Sequence, residues 1–215
     1  MRNTNQRRWR LACGLLALFA LWTLAVSRID VQAIGPQGSS VGFASLNAAV
    51  HRLTGVHMAL YTLTDWLGLL PLLVVLGFAA LGLAQLIQRK SLMKVDRSIL
   101  ALGGFYMLVM AAYLLFEEVV VNYRPVLIEG RLEASYPSST TMLVLCVMPT
   151  AIMQLSRRIR SRHLKICVTV VLTAFSVFMV VGRLLSGVHW LSDIVGGLLL
   201  SAGLVALYAA AAQKE

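Results

Sequence analysis

The sequence predicts an all-α integral membrane protein, a six-helix bundle, on three observations. Hydrophobic residues make up 59% of the chain and charged residues 13%, where a soluble domain carries roughly 25% charged residues. Six apolar runs are long enough, with their flanks, to cross a hydrocarbon core that takes about 20 residues of helix. The basic residues gather in short clusters between alternate runs, as cytoplasmic membrane flanks do. The formal charge of +10 therefore reads as membrane topology, and no nucleic-acid partner is expected. The length suits a single membrane domain, residues 1–215.

The first run, residues 11–26, follows Arg2, Arg7, Arg8 and Arg10. That arrangement fits either an uncleaved signal anchor or a secretory signal peptide. A small-residue cleavage site is missing near Ala25–Ser27, which favours the anchor. Residues 28–65 are predicted to be a long outer segment, with turn-forming residues at 35–40 (GPQGSS). The amphipathic stretch 46–53 (LNAAVHRL) within it is predicted as an outer interfacial helix lying on the bilayer. The remaining spans fall at about 66–88, 99–116, 141–155, 166–181 and 194–212. The short ones, 11–26, 141–155 and 166–181, should be extended by their flanks.

Placing the N-terminus in the cytoplasm tests this order. The cytoplasmic segments then hold Arg2, Arg7, Arg8 and Arg10; Arg89, Lys90, Lys94 and Arg97; Arg157, Arg158, Arg160, Arg162 and Lys165; and Lys214, which is 14 of the 19 basic residues. Arg28, Arg52, Arg124, Arg131 and Arg183 remain outside. The asymmetry predicts six spans with both termini cytoplasmic. Little of the chain lies outside the membrane, which suits a plasma (inner) membrane. Cys13, Cys146 and Cys167 lie within apolar runs, without the spacing of a metal site, and read as small apolar side chains.

Three polar segments fall on the outer side in this topology, at the ends of spans three to six: residues 117–125, 136–141 and 182–193. In the last, His189 and Asp193 are four residues apart, so on a helix they share a face. A carboxylate there can take the proton of one imidazole nitrogen and leave the other free to attack. Arg183 precedes them across Gly187, where the chain can turn, and its planar fork suits a phosphate. Ser138, Ser139 and Thr140 stand where span four begins, and helix N-terminal N–H groups bind phosphate. Read singly, each segment is equally an interfacial anchor or an ordinary helix cap.

Together they resemble the type 2 phosphatidic acid phosphatase superfamily of membrane lipid phosphatases, whose motifs run K-x6-R-P, P-S-G-H and S-R-x5-H-x3-D. Arg124–Pro125 matches the end of the first and Pro137–Ser138 the start of the second. Arg183, His189 and Asp193 match the third with its spacing intact. The resemblance implies His189 as the nucleophile that becomes phosphohistidine, oriented by Asp193. It implies Arg124, Arg183 and Ser138 as phosphate ligands, and neither metal nor organic cofactor. The departures are equally plain. Glu117 stands at the family lysine, Ser139 at the glycine, Thr140 at the general-acid histidine and Gly182 at the serine before the arginine. Arg131 is an auxiliary candidate for the missing cation, and His51 or His57 for the missing acid.

The expected function is removal of the terminal phosphate from a lipid phosphate or diphosphate at the outer leaflet. Without an acid at Thr140, polyprenyl diphosphate is the favoured substrate, since its leaving group is a weak base. The alternative on the same scaffold is a non-catalytic lipid-phosphate binder or transporter. The partners expected are the bilayer and the lipid substrate.

Overall fold

In a bilayer every backbone N–H and C=O must find its partner within the segment, which selects helices. The computed structural model describes residues 2–212, with side chains from residue 6. Among these residues there are eight α-helices: α1 Arg2–Arg28, α2 Ala44–Thr54, α3 Met58–Leu67, α4 Leu69–Arg89, α5 Arg97–Glu118, α6 Ser139–Arg158, α7 Arg162–Leu185 and α8 Leu191–Ala211. The expectations for the Arg2 side chain and for Lys214 lie outside the described residues.

Among the described residues six helical units are long and apolar enough to span, α3 and α4 together forming one of 32 residues from Met58 to Arg89. The chain is a multi-pass membrane protein. Apart from Ala212, the C-cap of α8, the apolar runs read from the sequence lie inside these helices, which continue into polar flanks; Ser161, for instance, caps α7 by accepting from Leu164 N at 3.4 Å. One boundary moves substantially. The second span begins at Met58, eight residues before the predicted start, and the outer segment is correspondingly shorter. Hydropathy ended the run at Thr64 and Asp65, but the Thr64 hydroxyl is buried and returns its proton to Leu60 O at 2.9 Å.

Helices α6 and α8 form the centre, with half of each span buried against the rest. Small residues on α8 let neighbours approach closely: a Cβ on Gly203 would stand 2.7 Å from Leu16 of α1, and one on Gly196 2.6 Å from the Tyr136 ring. Phe19, Phe105, Met142 and Tyr208 belong to the resulting core. Leu21, Leu76, Met107 and Val170, on α1, α4, α5 and α7, face outwards, as lipid-contacting side chains do.

The basic flanks gather at one end, where Asp96 ties α4, α5 and α6 by pairing with Arg89 at 3.0 Å and Arg158 at 3.6 Å. The opposite end carries α2 and the connections 29–43, 55–57, 119–138 and 186–190. The predicted interfacial helix is present as α2, and it is bolted down by polar bonds. Buried Asn47 donates to Gly42 O at 2.7 Å and to Ser192 Oγ at 2.8 Å, and accepts from Ser192 N at 3.1 Å. Its Leu46 and Leu53 point away from the protein.

Candidate functional site

Two connections build the site. The first links α7 to α8. Gly187 adopts φ +68°, and a Cβ there would stand 1.8 Å from Gly55 O, so only glycine lets this loop lie against residues 55–57. His57 N donates to Ser186 O at 2.9 Å and His51 Nε2 donates to Gly187 O at 3.0 Å. The loop ends at Trp190, the N-cap of α8, whose N–H donates to Asp193 Oδ2 at 2.9 Å. An acidic residue in the first turn also suits the helix dipole.

The second connection, between α5 and α6, is an irregular hairpin. Arg124 N donates to Glu133 O at 3.0 Å and Ser135 N donates to Asn122 O at 2.9 Å. Trp190 Nε1 donates to Tyr123 O at 2.8 Å and so joins the two connections.

His189 sits where they meet, 3% exposed. Its Nε2 lies 3.4 Å from a terminal nitrogen of Arg124 and 3.4 Å from one of Arg183. Both arginines are themselves buried. Burial, reinforced by these two cations, pushes the His189 pKa well below its ordinary 6.5, so the ring is neutral at pH 7. On the other side Nδ1 is 3.0 Å from Ser135 Oγ and 3.9 Å from Asp193 Oδ2. Ser135 Oγ donates to that same Oδ2 at 2.5 Å. Asp193 Oδ1 accepts from Asn122 Nδ2 at 3.0 Å and Ser192 Oγ at 3.4 Å. Asn122 is pinned in turn by Gly42 N, which donates to its Oδ1 at 3.1 Å.

The arginines carry exposed counter-charges. Arg124 Nε is 3.0 Å from Glu133 Oε2, though its N–H does not point at the carboxylate. Arg183 is 3.5 Å from Asp65 Oδ1 and stacks over the Tyr61 ring at 5.1 Å. Asp65 also lines a cavity of about 390 Å³ between α4, α5 and α6 with Ser139, Thr140, Tyr106, Tyr113 and Leu143. A largely apolar chamber thus opens beside Asp65, the counter-charge of Arg183. Among the described residues no group of three or more His, Cys, Asp or Glu is arranged to hold a metal.

Of the residues singled out from sequence, Arg124, Arg183, His189 and Asp193 come together. The route differs from the one expected. His189 precedes α8, so the pair does not share a helical face, and Ser135 stands between them. Ser138 abuts Asp193 through its N–H, which donates to Asp193 O at 3.1 Å. Its buried hydroxyl, however, donates to Thr141 Oγ1 at 3.0 Å. Ser139 and Thr140 open α6 at the wall of the chamber. Glu117 lines a small cleft with Ser135, Pro137 and Ser139. Arg131 is exposed at the hairpin tip, bridged through its backbone to Ile128, apart from the cluster. The acid candidates His51 and His57 both bond backbone carbonyls, His57 Nε2 donating to Thr54 O at 2.9 Å. Sequence reasoning did not single out Ser135, Asn122, Thr64 or Asp65. Asn122 carried a signal, a lone amide after three valines, whereas Ser135 carried none.

A family model described as "PAP2 superfamily" matches residues 101–215, from α5 to the end of the chain. Among solved structures the fold is similar to the first transmembrane PAP2-type phosphatidylglycerolphosphate phosphatase from Bacillus subtilis. That likeness has a TM-score of 0.63 at 19% identity, over 93% of this chain and 94% of that one. No curated protein matches the chain in sequence.

Proposed function

Because this chain belongs to the PAP2 superfamily, we propose that it hydrolyses the terminal phosphate of a membrane lipid phosphate or diphosphate through a phosphohistidine at His189. The observation that carries the reading is a neutral, buried imidazole whose Nε2 stands 3.4 Å from each of two guanidinium groups. Guanidinium forks bind phosphoryl oxygens and stabilise the charge that spreads over them during transfer. Arg124 and Arg183 therefore hold the phosphoryl group, and His189 Nε2 attacks phosphorus in line. The Nε2–P bond forms as the P–O bond to the leaving group breaks with its electron pair. Water then attacks phosphorus, the N–P electrons return to Nε2, and the proton from water balances the departed leaving group. Ser139 and Thr140, in the first turn of α6, face the phosphate with the positive end of the helix dipole. Ser138 acts by fixing α6 to Asp193. The adjoining chamber of about 390 Å³ takes hydrocarbon. With both termini cytoplasmic, this end of the bundle faces outside a plasma membrane, and the substrate enters from the outer leaflet.

Thr140 decides the substrate bias. A threonine hydroxyl cannot serve as an acid near pH 7, and a general acid contributes about 10²–10⁴-fold. An alkoxide leaving a lipid monophosphate needs that proton, whereas a phosphate monoester leaving a diphosphate needs little help. Polyprenyl diphosphate is accordingly the better substrate than phosphatidic acid. The same residue favours the second reading, a lipid-phosphate binder or transporter without turnover. Phosphate release by the purified protein from both lipids, beside His189→Ala, separates them. Release from the diphosphate that His189→Ala abolishes is the expected result. Saturable binding of either lipid without release establishes the binder, and a preference for phosphatidic acid refutes the leaving-group argument.

A further inference from the structure

We infer that Ser135 is a positioning residue, its hydroxyl forming the link through which Asp193 fixes the proton and the orientation of His189. The arrangement rests on three distances. His189 Nδ1 and Asp193 Oδ2 are 3.9 Å apart, beyond hydrogen-bond reach. Ser135 Oγ lies 3.0 Å from the nitrogen and 2.5 Å from the oxygen, and Ser135 is itself buried.

The direction of each proton follows from the neighbours. A guanidinium only donates, and two of them face His189 Nε2. Nε2 must therefore be the acceptor, and the single proton of the neutral ring lies on Nδ1. Nδ1–H then donates to Ser135 Oγ, and the one hydroxyl proton of Ser135 goes to Asp193 Oδ2. The reverse arrangement, with Ser135 donating to Nδ1, would put an Nε2–H against two cationic donors. Asp193 is anchored to receive that proton, because Trp190 N, Asn122 Nδ2 and Ser192 Oγ occupy its other acceptor positions at 2.9, 3.0 and 3.4 Å. Both sides of the imidazole thus impose one tautomer, the one with a lone pair on Nε2 aimed between the arginines.

The catalytic use of this relay rests on the hydrolase reading. When Nε2 bonds to phosphorus the ring becomes cationic while Nδ1–H stays in place. Its charge is then transmitted through the Ser135 hydroxyl to the Asp193 carboxylate, with no net proton movement. Ser135 touches neither the phosphate nor the leaving group, and acts only through His189.

The test is nuclear magnetic resonance of the full-length protein labelled with ¹⁵N-histidine in detergent, with His189→Gln to assign the signal. The native protein at pH 7 should show a protonated, slowly exchanging Nδ1 and an unprotonated Nε2. Ser135→Ala should lose the protection of Nδ1–H, and Ser135→Thr, which keeps the hydroxyl, should retain it. Turnover of lipid diphosphate should fall about 10–100-fold in Ser135→Ala, the range seen when a group orienting a metal-bound histidine is removed, and recover in Ser135→Thr. A native His189 protonated on Nε2 overturns the inference without any variant. So does a Ser135→Ala protein with Nδ1–H and turnover unchanged. The spectrum needs no turnover: the expected pattern in a protein that releases no phosphate upholds the relay and removes the hydrolase reading alone.

Discussion

Asp193→Asn is the sharpest perturbation of the site, because its consequence can be worked from hydrogen-bond direction alone. Asp193 accepts on both oxygens from groups that can only donate there: the backbone N–H of Trp190 on Oδ2 at 2.9 Å, and the amide of Asn122 on Oδ1 at 3.0 Å. The Asn122 amide cannot turn over without losing the bond from Gly42 N to its Oδ1. An asparagine at position 193 has one acceptor oxygen, so in either orientation its NH₂ meets one of these donors. One buried N–H is orphaned, at about 1–3 kcal/mol. Turnover suffers more, since the hydroxyl of Ser135 loses its anionic acceptor. A loss on the order of 10⁴-fold accompanies the same carboxylate-to-amide change behind a catalytic histidine in serine proteases. The assay pairs detergent melting curves with phosphate release. The added change Asn122→Asp should restore stability in a double-mutant cycle. The carboxylate it introduces would accept from the new amide and leave the amide oxygen free for Trp190 N. It should not restore turnover, since the carboxylate would no longer stand behind Ser135. A single mutant as stable as the parent, or a double mutant no more stable than the single, refutes the reasoning.

Gly187→Ala should abolish turnover and lower the melting temperature, because its Cβ would stand 1.8 Å from Gly55 O. Gly130→Ala, also at positive φ but with nothing within 4 Å among the described residues, should cost only the left-handed strain of about 1–2 kcal/mol. Acid should destabilise the fold through His189. The unfolded ring takes up a proton below about pH 6.5 while the folded one stays neutral to much lower pH. Stability from this group is therefore complete above pH 6.5 and falls below it by up to about 1.4 kcal/mol per pH unit. Melting curves between pH 4.5 and 7.5 should show that slope reduced in His189→Gln. In a cysteine-free background, a membrane-impermeant thiol reagent should label Arg131→Cys on intact cells and Arg160→Cys only after permeabilisation; the opposite pattern reverses the topology.

The bundle was legible because a bilayer allows few solutions to long apolar runs, so all six spans could be placed. Boundaries failed where polar residues serve the interior. Thr64 and Asp65 ended the apolar pattern of the second span, yet both are helical and both face Arg183. The site was half legible. The spacing of Arg183, His189 and Asp193 survives in the sequence because the last turn of α7, a short loop and the first turn of α8 carry them in one stretch of chain. Arg124 was recoverable only through its neighbour Pro125. Ser135 was invisible, since a serine in a loop has no periodicity and acquires its role only when the hairpin 119–138 folds back against α8. Ser138 shows the converse. Its position before α6 was read correctly from the sequence, but which way a hydroxyl turns depends on neighbours such as Thr141, and spacing does not encode that.

The two arginines explain why so much of the polar architecture lies at one end of the bundle. Buried charges at a membrane are costly unless partnered, and here the partnering is partial. Arg183 is 1% exposed, yet its contacts to Thr64, Asp65 and His189 are all 3.4–3.5 Å, and its Nε has no acceptor among the described residues. Arg124 Nε likewise lacks an aligned acceptor there. The buried acceptor at this end serves another purpose: the Asp193 carboxylate is occupied by Trp190 N, Asn122 Nδ2, Ser192 Oγ and Ser135 Oγ. A fold that needed the arginines only for stability would spend that buried carboxylate on them. Instead their counter-charges come from Asp65 and Glu133, whose side chains are 58% and 41% exposed and which water can solvate if displaced. A phosphoryl group offers several oxygens in the geometry both forks prefer. On the proposed reading, its entry would exchange two loose ion pairs for charge-assisted hydrogen bonds and return two carboxylates to water. The under-coordination of Arg124 and Arg183 thus fits a site shaped for an anion, with His189 Nε2 already facing the place where it would bind.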